Sequence, residues 1–387
     1  MRGALLAIMA ITLAACGGSA VPKTQTSSTP PSNAVATASP IPSTLFALVQ
    51  TTTPAGQPDT VAIAGLDGQI LTSAKFKART VPVVPGGHVV LQSAAQVEGS
   101  NVYYIDGAGT VRVLRTGSEP RIVASFTEQP VQVDTWFAVN PDGTHVLAGI
   151  LTLPPVASIV PGTSWTTWDA QWDFKLMSVV AGSKPQDVGD ASGGPPAELS
   201  SAATHLLGYW WPTFPVGWTS AGPIAMYPVS LATKGAWPGG QLQVVTLAPG
   251  GLEEDQLGGD DCFAAGTTIA GLIPCISSKG TVTVRNANGT PVWPAHIDAS
   301  NAQSVHLSPN GQAIADRTEV ETRSGVIVPM PGNFRIQGWL DDNTLVGRLA
   351  IGGANDGNLA WISLSNPVIV HDLGFEGDFV APLTQAA

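Results

Sequence analysis

Few residues in this chain have the type and spacing to do chemistry. Cys16, Cys262 and Cys275 are its only thiols. The last two lie 13 positions apart, which suits a disulfide or a pair of buried free thiols. A zinc site would need further partners, and none is spaced for it. The six histidines, at 88, 145, 205, 296, 306 and 371, are scattered and form no HxH or HxxxH. Glu253-Glu-Asp-Gln-Leu-Gly-Gly-Asp-Asp261 packs five carboxylates into nine residues. That spacing does not match the alternating oxygen ligands of a calcium loop, so a solvated acidic loop is expected. No GxSxG, phosphate-binding loop or HExxH occurs. No catalytic residue, metal site or cofactor is therefore assigned.

Aromatic residues carry the remaining signal. Eight of the 11 tryptophans fall between 136 and 237. Trp165, Trp168 and Trp172 are spaced by three and four, and Tyr209-Trp210-Trp211 follows. Such rings either pack in a core or offer a stacking platform to a glycan or protein partner. On a strand, Trp168 and Trp172 share a face and Trp165 points away, whereas in a loop all three can gather on one side. Pro154, Pro155 and Pro161 just upstream favour the loop.

The N-terminus addresses the third thiol. Arg2 is followed by an apolar run from Ala4 to Ala15, too short to span a bilayer but suited to a signal segment. It ends Leu13-Ala14-Ala15-Cys16. This motif resembles the lipobox of bacterial lipoproteins. The resemblance implies cleavage after residue 15 and a diacylglycerol thioether on Cys16, an anchor with enough acyl chain to hold a membrane. The implied location is extracytoplasmic, in the cell envelope, where Cys262 and Cys275 would oxidise to a bridge closing a loop worth roughly 3 kcal/mol. Residues 16–43 are the lipidated Cys and a Ser/Thr/Pro-rich tether, which reaches roughly 30 Å as a coil. Residues 44–387 make the folded domain.

The 43 glycines and 32 prolines, about a fifth of the chain, exclude a helical protein. A formal charge of −11 with only 17 Lys and Arg argues against a nucleic-acid partner. From Leu45 onward, short β-type runs alternate with Gly, Pro, Asn and Asp. Leu45–Gln50, Thr60–Leu66, Gln69–Lys75, Asn101–Ile105 and Thr110–Leu114 all read as strands. One phrase recurs: an apolar strand, a tight turn, a second apolar strand. It is clearest in Trp136-Phe-Ala-Val-Asn-Pro-Asp-Gly-Thr-His-Val-Leu-Ala148 and Val305-His-Leu-Ser-Pro-Asn-Gly-Gln-Ala-Ile-Ala315. Turns near 86, 142, 221, 265, 310 and 342 fall about 50 residues apart on average, the length of a four-stranded blade. The widest gap, between 142 and 221, leaves room for an insertion carrying the tryptophans.

The apolar–Ser/Asn–Pro–Asp/Asn–Gly phrase resembles that of bacterial β-propellers of the TolB and WD-repeat type, where it joins the innermost strand of a blade to the next. The resemblance implies an all-β propeller of seven blades, with six blades or two β-sandwiches as alternatives. The first blade lacks an inner strand, and Gly377-Asp-Phe-Val-Ala-Pro-Leu383 is a strand without a blade. The tail is therefore expected to complete the first blade. The function implied is a membrane-anchored binding or assembly module. A cell-surface hydrolase with carboxylates at the propeller axis and a structural envelope lipoprotein are the alternatives.

Overall fold

A computed structural model describes residues 45–52, 57–77, 94–126, 132–153, 171–178, 183–192, 214–219, 222–228, 240–248, 251–264, 269, 271–277, 279–297, 305–351 and 357–384. Every strand pairing among them is antiparallel, and the described secondary structure contains no helix. The protein is an all-β propeller.

The strands fall into four-stranded units, each meandering outward from an inner strand. The first unit is ordered β28 (Asp378–Pro382), β1 (Leu45–Gln50), β2 (Asp59–Gly65), β3 (Ile70–Phe76). The second comprises β4 (Ala95–Glu98), β5 (Asn101–Ile105), β6 (Thr110–Leu114) and β7 (Arg121–Ser125). The third runs from β8 (Gln132–Val139) through β9 (His145–Leu153) and β10 (Gln171–Ser178) to β11 (Gln186–Ser192). The fourth contains β12 (Phe214–Thr219), β13 (Gly222–Pro228), β14 (Gly240–Ala248) and β15 (Gly251–Gln256). The fifth is β16 (Phe263–Ala264), β17 (Leu272–Ile276), β18 (Val282–Asn286) and β19 (Pro291–Ala295). One pair, Gly240 with Ala264, joins the fourth and fifth into a continuous sheet. The sixth holds β20 (His306–Leu307), β21 (Ala313–Ala315), β22 (Glu319–Thr322) and β23 (Ile327–Pro329). The seventh holds β24 (Phe334–Asp341), β25 (Thr344–Leu349), β26 (Leu359–Ser363) and β27 (His371–Asp372).

Strand periodicity explains why the middle strands read as continuous apolar runs. Successive side chains of a strand point to opposite faces. In the first unit, Ala47, Val49, Val61 and Ile63 pack on Ala95, Val102 and Tyr104 of the second. Phe46, Leu48, Ala62 and Ala64, on the other face, pack on Leu340, Val346 and Leu359 of the seventh. The second unit turns Tyr103, Ile105 and Val111 toward Phe137 and Val139 of the third. The sixth is likewise covered by the fifth on one side and the seventh on the other. A sheet buried on both faces needs apolar residues at both parities, whereas a half-exposed sheet alternates. Outer strands escape this demand, and β3, β7 and β27 carry mostly exposed residues.

The tail meets the expectation drawn from its sequence: β28 pairs with β1, Phe46 opposite Pro382 and Val49 opposite Asp378. The turns at 142, 221, 310 and 342 each lie between the first two strands of a phrase, as expected. The turn expected near 86 lies outside the described residues. The first described hairpin of the second unit is at 99–100, where Gly99 takes a φ of 61°. One expectation differs. The acidic run is not one loop: Glu253, Glu254 and Asp255 lie in β15, paired with Thr246, Val245 and Val244. Only Asp260 and Asp261 sit on a loop.

Candidate functional site

The recurring phrase is a hydrogen-bonding module, and its atoms explain its residue types. In Asn140-Pro-Asp-Gly-Thr-His145, the Asn140 side-chain oxygen accepts from the His145 amide at 2.7 Å, and Asp142 accepts from the Thr144 amide at 2.9 Å. In Ser308-Pro-Asn-Gly-Gln-Ala313, the Ser308 hydroxyl accepts from the Ala313 amide at 3.0 Å and Asn310 accepts from Gln312 at 2.9 Å. Gly143 and Gly311 take φ of 69° and 67°, where a side chain would be strained. A shorter form closes other hairpins: Asp106, Ser277 and Asn286 each accept from the amide four residues on. Asx and Ser/Thr turns of this kind satisfy backbone donors that the ladder leaves behind.

These turns place titratable groups together at one end of the second and third units. Tyr103 is 3% exposed, and its hydroxyl stands directly over the Gly143 backbone. Burial raises the Tyr103 phenol above its ordinary range, and Arg115, Glu98, Arg121 and Asp142 all lie close enough to act on it. Glu98, the last residue of β4, is pushed up to about 7 by desolvation. Asp142 is held low by hydrogen bonds from Thr144. Arg115 donates to Asn101 at 2.6 Å across two turns of the same unit. The group combines a carboxyl that exchanges its proton near neutral pH with two guanidiniums and a phenol, which suits hydrogen bonding to a polar partner.

A second pair spans the fifth and sixth units. Glu321 in β22 is 1% exposed, yet both its oxygens are used: one accepts from the His296 backbone amide at 2.5 Å, the other meets His296 Nδ1 at 2.7 Å. The His296 side chain is 71% exposed. A carboxylate is tolerated inside only with such partners.

The inner ring carries two side-chain amides in matching roles. Gln96 of β4 donates to the Phe137 carbonyl at 2.7 Å and accepts from the Val139 amide at 3.2 Å. Gln337 of β24 donates to Asp378 at 3.1 Å and accepts from the Phe379 amide at 2.8 Å. Each bridges one inner strand to the next, where no ladder joins them. Neither Glu98, Glu321 nor the two glutamines stood out in the sequence.

Cys262 and Cys275 lie at disulfide distance, with Cα atoms 4.7 Å apart and both residues buried. They bracket the first hairpin of the fifth unit, where Ala264 pairs with Cys275. Cys16, Trp165, Trp168, Trp210 and Trp211 lie outside the described residues. Trp172 is in β10, paired with Leu151 and Ala191. Among the described residues no three His, Cys, Asp or Glu side chains group as metal ligands, and no helix is long and apolar enough to cross a membrane.

No family model matches the sequence, and no curated protein sequence matches it. Solved structures with a similar chain path include dipeptidyl peptidase 4 of Porphyromonas gingivalis, 8% identical over 82% of this chain and 48% of that one, with a TM-score of 0.41. BamB of Moraxella catarrhalis is 16% identical over 76% of this chain and 80% of that one, with a TM-score of 0.34. A putative TolB of Agrobacterium tumefaciens is 10% identical over 87% and 91%, with a TM-score of 0.32. These values carry no function across, and the propeller assignment rests on the strand pairings and the shared faces described above.

Proposed function

We propose that this chain is a lipid-anchored, extracytoplasmic propeller of seven blades, one per four-stranded unit, that serves as a binding or assembly module. The observation that carries the reading is Leu13-Ala14-Ala15-Cys16 at the end of a 12-residue apolar run, followed by a spacer and then the propeller. Two acyl chains on Cys16 would hold the membrane, and residues 17–43 would let the domain stand roughly 30 Å from it. The partner is a protein or a glycan, met by the rings at Trp165, Trp168, Trp172, Trp210 and Trp211. The acidic balance of 28 Asp and Glu against 17 Lys and Arg disfavours nucleic acid.

The anchor is tested by Cys16→Ser. The wild-type protein is expected in the membrane fraction with an acyl adduct on its first mature residue, and the variant in the soluble fraction or uncleaved. Equal membrane retention of both proteins, with no adduct by mass spectrometry, overturns the anchor. The binding role is tested by cross-linking in the native envelope: Ala substitution at Trp165 and Trp168 together is expected to erase a cross-linked species while leaving the melting temperature in place. An unchanged cross-link pattern removes the aromatic platform.

A further inference from the structure

The loop at 257–261 does more than join β15 to β16. Gly258 lies on the sulfur pair itself: a Cβ built there would stand 2.5 Å from Cys262 Sγ and 3.2 Å from Cys275 Sγ. The backbone is coiled to reach this position, with Gly258, Gly259 and Asp261 at φ of 82°, 71° and 54°. Asp261 lacks the freedom of glycine, so its conformation persists only because neighbours impose it. Four hydrogen bonds hold the strap residues just before it. Arg285 Nη1 donates to the carbonyls of Gly258 at 3.2 Å and Asp260 at 2.9 Å. The Gly258 amide donates to Ala287 at 2.9 Å, and Gln256 Nε2 donates to Gly259 at 2.9 Å. The Gly259 and Gly289 backbones also touch, at a spacing that admits no side chain on Gly289.

Arg285 is held here at a cost. Its Nε is buried with no hydrogen-bond partner among the described residues, while Nη1 serves two strap carbonyls. Its position in β18 puts it beside the strap and on none of the inner strands.

We propose that the 257–261 strap, latched by Arg285, gates thiol–disulfide exchange at Cys262–Cys275, so that opening the strap makes the bridge a substrate for an external dithiol. The exchange balances with that reagent alone. A thiolate of the dithiol attacks one protein sulfur, and the S–S bond breaks to leave a thiolate on the other. The second thiol of the reagent then displaces the protein sulfur from the mixed disulfide. Two electrons pass to the protein, two cysteine thiols form, and the reagent leaves as a cyclic disulfide. With the strap closed, both cysteines are 1% exposed and attack is blocked.

The test uses the folded protein and dithiothreitol as the dithiol, with alkylation and mass spectrometry counting free thiols over time. Arg285→Ala is expected to be reduced about ten- to a hundred-fold faster than wild type, because two hydrogen bonds from a charged donor are lost from the closed strap. Gln256→Ala, at an exposed position, is expected to speed reduction by a smaller factor and leaves the core untouched. Both variants are measured where circular dichroism and melting show them folded. If Arg285→Ala does not fold, Gln256→Ala alone decides. Equal reduction rates in wild type and the folded variants overturn the gate, as does wild-type reduction as fast as that of the urea-unfolded chain.

Discussion

Deleting 378–387 is expected to abolish cooperative unfolding and leave an aggregating chain. The reason lies in how many neighbours the tail serves. β28 supplies the inner strand of the first unit and so covers the open edge of β1. On its other side, Gln337 holds both Asp378 and the Phe379 amide, and Arg348 Nε donates to the Gly377 carbonyl at 2.7 Å. Beyond β28, the Leu383 amide donates to Leu45 and the Thr384 amide to Gly99 of the second unit. One short segment thus ties the seventh, first and second units, and its loss removes interactions comparable to the whole net stability of a domain, about 5–15 kcal/mol. Two point variants scale the effect. Phe379 packs on Phe46 with ring centroids 5.9 Å apart, and Phe379→Ala is expected to cost about 2 kcal/mol, below the fully buried range because the ring is half-buried. Gly338→Ala would drive a methyl to 2.7 Å from the Phe379 ring and is expected to cost about 1–3 kcal/mol. Urea unfolding of each variant reads these shifts. A truncated protein with an unchanged midpoint would show that the ring closes without its tail.

Closure was readable because it rested on local residues: a strand without a blade at 377–383 and a blade without an inner strand at 45–76. The turns were readable for the same reason, since Asn140-Pro-Asp-Gly and Ser308-Pro-Asn-Gly carry their hydrogen-bonding partners within six residues. What stayed hidden depends on register between units. Glu321 reads as an ordinary strand carboxylate until the fold brings His296 to it from the neighbouring unit. Gln96 and Gln337 become inter-strand bridges only when a second inner strand lies alongside. The acidic run read as a loop because charge outweighed pattern, yet β14 beside it offers a complete partner for Gly251–Gln256.

Acid is expected to weaken the junction of the sixth and seventh units through His306. This residue opens β20 and pairs with Ala315, so the two share a sheet face, and Ala315 packs against Trp339 and Phe334 of the seventh unit. The Trp339 indole donates to the His306 carbonyl at 3.0 Å. Half-buried there, the imidazole is pushed down by desolvation from 6.5 to about 4. Between those values the unfolded chain binds a proton that the folded protein refuses. Stability from this group is therefore complete above about 6.5 and is lost as pH falls to about 4, by at most about 3 kcal/mol. Glu98 acts in the opposite sense. Its carboxyl is raised from 4.5 to about 7, so the folded state takes up the proton first and gains stability as pH falls through that window. Glu98 is only partly buried, and solvent reduces its share. The two contributions overlap, so wild type alone shows a shallow dependence, and variants separate them. His306→Leu is expected to flatten the loss between pH 6.5 and 4, and Glu98→Gln to steepen it, in urea unfolding at closely spaced pH values. Carboxylates elsewhere shift all three proteins alike and drop out of the differences. Parallel curves for His306→Leu and wild type would mean that the imidazole is already solvated in the folded protein, and the junction would then have no acid-sensitive group at this position.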